Sequence, residues 1–230
     1  MKISKMKLVL VLLTSIVTAF AWTGSSIAQI GPPISPLPSA DGYTMLNEYY
    51  LPVLMNEPEI CFHNARRNFI KKELKLSAED LRKASVYLRL QAGRATDEYK
   101  HPLMESVREL EKLAAKIEKG TVTSVKELDN TFARAHQSLS KYHYLKALKT
   151  WIGKDIHNTG HDIKAAVYHL EHALVWHGHT LETKTKTIIK KARLIAEQLI
   201  DKKEQSAKKV NMILNETSKE IEKMENSQKK

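Results

Sequence analysis

Eight of the chain's ten histidines fall between residues 136 and 179. His136 and His143 are seven apart, and His157, His161, His169, His172, His177 and His179 follow within 23 residues. Imidazole is the commonest protein ligand for zinc, copper, nickel and iron, and it titrates near neutral pH. His157 and His161, four apart on a helix, can chelate one ion by themselves; His169 and His172, three apart, can do so with poorer geometry. The chemistry this spacing predicts is binding of a divalent transition metal (Zn, Cu or Ni). The candidate ligands are His136, His143, His157, His161, His169 and His172, in one or two sites.

Other histidine chemistries fit less well. No Cys-x-x-Cys-His run is present, which excludes covalent haem attachment, and haem held between two histidines without a covalent link is the remaining haem reading. Glu171 stands next to His172 rather than three before it, so the Glu-x-x-His pairs of ferritin-like di-iron bundles are missing. There is no nucleophile elbow, no phosphate-binding glycine loop and no recognisable triad, so no enzyme activity is expected. If the histidines hold no cofactor, they are interhelical or surface polar groups.

Positioning such a cluster calls for helices. Met1–Lys7 is basic, Leu8–Trp22 is an apolar run, and Ser25-Ser26-Ile27-Ala28 is a small-residue site. This reads as a secretory signal peptide over 1–28, too short to span a membrane comfortably, and it predicts a periplasmic or secreted protein. Its three lysines take the net charge from +11 to +8 in the mature chain. That charge is interspersed rather than blocked, and an exported protein with few aromatics is not expected to bind nucleic acid. The lone cysteine, Cys61, cannot form an internal disulfide; it is expected to be buried as a small apolar residue, the alternative being an intermolecular link. Pro32, Pro33, Pro36 and Pro38 make residues 29–57 a linker with room for a short helix near Met45.

Residues 58–200 read as the bundle. A first helix is expected from Pro58 to Leu74 and a second from Ser77, where Ser77-Ala78-Glu79-Asp80 approximates a capping box. Pro102 should open a third, ending at Gly120, and Ser124-Val125-Lys126-Glu127 should cap a fourth that ends at Gly153. A fifth starts near Asp155. Its apolar stripe runs on through Ile163, Val167, Leu170, Leu174, Leu181, Ile188, Ala192, Ile195 and Leu199, weakened only at Gly160 and Gly178. No period-two segment is long enough for a strand. The expected class is therefore all-α, an antiparallel bundle of four to five helices with a long C-terminal helix. At the level of fold alone this resembles small periplasmic four-helix bundles.

If the fourth and fifth helices form a hairpin turning at Gly153, His143 comes level with His161, and His136 with His169 and His172. Residues 201–230 read as a basic helical or disordered tail. The competing functional reading is a cell-envelope protein that self-associates through the long helix, in the manner of a coiled coil. A variant of it has the thirteen basic residues of 182–230, against eight acidic ones, gripping an anionic envelope surface.

Overall fold

The computed structural model describes residues 57–227 apart from Glu204. The expected signal peptide, the linker and the short helix near Met45 lie outside the described residues. Those described form seven helices and no strand: α1 (Glu57–Ile70), α2 (Leu74–Arg94), α3 (Asp97–Glu118), α4 (Val125–Ile152), α5 (Ile156–Trp176), α6 (Thr183–Ile200) and α7 (Ala207–Ser227). None is long and apolar enough to cross a membrane. Consecutive helices pack on one another, and α4 is the hub, touching α1, α3, α5 and α7.

Helix ends follow local chemistry. Ser124 caps α4, its hydroxyl accepting from Lys126 N at 3.2 Å, but Glu127 turns away from the capping box to take Lys116 at 2.8 Å. The α4–α5 turn falls at Gly153, as expected, and Asp155 caps α5 by accepting from Asn158 N. The second helix starts at Leu74 rather than Ser77. Ser77 is fully buried inside it, its hydroxyl donating to the Ala65 carbonyl of α1 at 2.8 Å. The third starts at Asp97, and Pro102 lies inside it, where the missing N–H forgoes one helical hydrogen bond.

Two larger corrections concern the C-terminal third. The single long helix does not exist, because Gly178 adopts φ +77° just past the end of α5. Its N–H bonds Val175 O, while His179 N bonds Leu174 O, which is the Schellman closure that needs a left-handed residue. The apolar stripe continues beyond it on α6, which doubles back on α5. Within the expected tail, Ala207–Ser227 is helical, one of the two alternatives, but packed rather than solvated. Val210, Ile213, Leu214, Ile221 and Met224 of α7 are buried, the first three against α4, α5 and α6, the last two against Leu170 and Ala173. The apolar residues that had called for a partner are covered by the chain itself.

Gly160 owes its place to α6. A Cβ there would lie 2.6 Å from Ala196 O and 2.9 Å from Ile200 N, both backbone atoms that cannot swing aside. Gly160→Ala is therefore expected to destabilise the protein by about 1–3 kcal/mol through overpacking, although alanine is the better helix former by about 1 kcal/mol. Urea unfolding of the variant checks this; equal or higher stability would mean that α5 and α6 do not approach so closely.

Candidate metal centre

The α4–α5 hairpin does bring histidines together in its interior. Residues seven apart on a helix share a face to within about 20°, so His136 and His143 on α4 meet Asp162 and His169, also seven apart, on α5. His136 Nδ1 and His169 Nδ1 are 3.0 Å apart. The rings of His143 and His169 stack with centroids 5.6 Å apart. Ser140 Oγ donates to Ala166 O at 2.8 Å between the two layers and fixes the register. His136, His143 and His169 are all at least 96% buried. The expected level of His136 with His169 and His172 is what the hairpin shows, the His136 and His172 rings lying 5.4 Å apart. His143, however, meets Asp162 (Nδ1 to Oδ1, 3.6 Å) rather than His161, because residue 161 is turned about 100° away from residue 162 on the helix.

Helix α1 supplies what the sequence reading missed. Glu59 projects a carboxylate, itself 7% exposed, into the hairpin's edge. Its Oε2 accepts from His136 Nε2 at 2.6 Å and from Trp176 Nε1 at 2.9 Å. Its Oε1 faces His63 Nε2 at 2.7 Å and His172 Nε2 at 3.8 Å. Three imidazoles and an indole from three helices thus converge on one carboxylate. An aromatic wall closes the inner side: Phe62 stacks on Phe132 at 4.4 Å, and Phe132 meets Trp176 edge-on at 5.0 Å. His63, a turn after Glu59 and largely exposed, opens the outer side to solvent.

The partners fix the tautomers. An ionised carboxylate only accepts, so His136 carries its proton on Nε2, and its Nδ1 accepts from His169 Nδ1–H. His172 Nδ1–H donates to Tyr168 O at 2.8 Å, which leaves the Nε2 lone pair turned toward Glu59 Oε1. A lone pair facing a carboxylate oxygen is repulsive unless a cation, proton or metal, stands between them.

Electrostatics agree with neutral inner histidines around an ionised Glu59. Burial pushes the pKa of His136, His143 and His169 below the usual 6.5, His169 furthest, with its histidine neighbours adding to the effect. Burial alone would raise the Glu59 carboxyl, but the hydrogen bonds it accepts from His136 and Trp176 hold it below its usual 4.5. In both cases the unfolded chain binds more protons than the folded one. The histidine contribution is complete above pH 6.5 and fades below it, and the Glu59 contribution fades as the pH falls below 4.5. The metal-free protein is expected to lose stability as the pH falls below about 6.5, because the buried histidines take up protons on unfolding. Urea titrations at pH 7.5 and 5.5 read this directly, and equal stabilities would contradict the neutral, buried assignment.

Deeper in, both ring nitrogens of His143 and Asp162 Oδ2 are buried with no hydrogen-bond partner, while Asp162 Oδ1 takes Lys146 at 3.1 Å. His157 and His161 lie apart from all this, at the outer start of α5, with their Nε2 atoms 3.2 Å apart. The six expected ligands therefore divide between a buried layer (His136, His143, His169), the Glu59 carboxylate (His136, His172) and an outer pair (His157, His161). Among the described residues no group of three or more His, Cys, Asp or Glu side chains is placed so that it could hold a metal ion as it stands. Glu59 and His63 had one legible signal, their four-residue spacing on α1. Comparison with protein-family models, with curated proteins and with solved structures finds no match.

Proposed function

We propose that the protein is an exported, non-catalytic binder of a divalent transition ion of the zinc, copper and nickel group, held by Glu59 Oε1, His63 Nε2 and His172 Nε2. One observation carries this reading: the His172 lone pair and His63 Nε2 both face the same oxygen of a buried carboxylate. Ligand atoms in a zinc site stand about 2.9–3.4 Å apart for bonds of about 2.0–2.1 Å. The 2.7 and 3.8 Å separations straddle that range, so His63 must draw back from Glu59 and His172 approach it to admit an ion.

The supporting hydrogen bonds need no change. Tyr168 O already orients His172, while His136 and Trp176 already hold the second oxygen of Glu59, which is the outer-shell arrangement that fixes ligand geometry. Two histidines and one carboxylate leave a fourth position for water on the exposed side of His63. The inner histidines are support rather than ligands in this reading. They are packed too closely between α4 and α5 for a haem plane to reach them without opening that interface.

The test is metal analysis of untagged protein at pH 7.5, followed by zinc titration of the parent and of His172→Ala. Stoichiometric uptake that the variant weakens at least about tenfold supports the site, and uptake should fade below about pH 6.5 as imidazoles protonate. No uptake by the parent would overturn the reading.

A further inference from the structure

A second pair of imidazoles shows the same orientation independently of Glu59. His157 Nδ1–H donates to the Ile200 carbonyl at 3.0 Å, a bond between the first turn of α5 and the last residue of α6. It leaves the His157 Nε2 lone pair directed at His161 Nε2, 3.2 Å away, with the rings at 79° to one another. Two ligand nitrogens on one ion, at about 2.0–2.1 Å each and with angles between square and tetrahedral, stand about 2.9–3.4 Å apart. The two nitrogens thus already stand at the separation of two ligands on one ion, and rotation of the rings is what turns both lone pairs onto it.

We propose that His157 and His161 form a separate surface site that takes one divalent ion of the copper class through their two Nε2 atoms. The backbone carbonyl of Ile200 acts as the orienting partner that metal-bound histidines usually have. His157 is exposed and forms part of the wall of a cavity of about 860 Å³ with Trp151, Lys154, Lys202 and Lys203. Water can therefore reach the ion's remaining positions, and the ion should exchange freely. Gly160 is what lets Ile200 come this near, since any Cβ at 160 would push the end of α6 away.

The experiment uses the full chain carrying His63→Ala and His172→Ala, which removes the Glu59 site from consideration. Copper(II) is titrated at pH 7.5 and the complex examined by electron paramagnetic resonance. One equivalent bound with coupling to two nitrogens is expected, and adding either His157→Ala or His161→Ala should weaken it at least tenfold. Both residues are at the surface, and circular dichroism confirms that the variants fold. Absence of binding in the double variant, or binding that His161→Ala leaves unchanged, would overturn the proposal. The Glu59 site fails by a different result, namely zinc uptake that His63→Ala and His172→Ala do not alter.

Discussion

Replacing Glu59 by alanine is expected to lower the stability of the metal-free protein by about 2–5 kcal/mol, the cost of leaving two neutral donors unpaired. The size follows from what is left behind. His136 Nε2–H, fully buried, and Trp176 Nε1–H both donate to this carboxylate, and an unpaired buried donor costs about 1–3 kcal/mol. Glu59→Gln keeps an acceptor oxygen and should cost markedly less while still impairing zinc binding, because a neutral amide is a poor ligand. Chemical unfolding of the two variants side by side separates the structural from the ligating role. Equal losses for alanine and glutamine, or none for alanine, would show that the carboxylate does not hold α1 against the hairpin.

Truncation after Gln205 is the second large effect. It removes α7, whose Val210, Ile213, Leu214, Ile221 and Met224 are each at least 97% buried. Each such side chain contributes about 1.5–3 kcal/mol of transfer free energy, and the entropy regained by the freed segment offsets only part of the sum. The cut also exposes Leu199, Leu170 and Ala173 from the other side and deletes Asn211, the partner of Trp151 Nε1 at 2.8 Å. A lower unfolding midpoint, with a shift in tryptophan emission, is expected. A truncated chain as stable as the parent would mean that α7 is the loose tail its lysines had suggested.

Those lysines show why part of the fold was legible in the sequence and part was not. The all-α class, the turn at Gly153 and the cap at Ser124 follow from local rules, and the hairpin made of α4 and α5 could be drawn by counting outward from Gly153. The count failed by one residue at His143 because only facing residues meet; the seven-residue step from Asp162 to His169, matching that from His136 to His143, was the signal. The break at Gly178 was hidden because the apolar stripe resumes in phase on α6, and only the positive φ reveals the reversal. In α7 the spacing of Val210, Ile213, Leu214, Ile221 and Met224 was regular but diluted by charge. Glu59 was the hardest to foresee. It lies 77 residues from His136 in sequence, and no local pattern says where α1 docks.

A divalent ion held by Glu59, His63 and His172, as proposed, has a crystallographic signature. Zinc-loaded crystals measured at the zinc absorption edge test it most directly. The expected result is an anomalous peak about 2.0–2.2 Å from Glu59 Oε1 and from the Nε2 atoms of His63 and His172, with His172 Nδ1 still bonded to Tyr168 O. A stoichiometric peak elsewhere, with these three side chains placed as they are without metal, would contradict it.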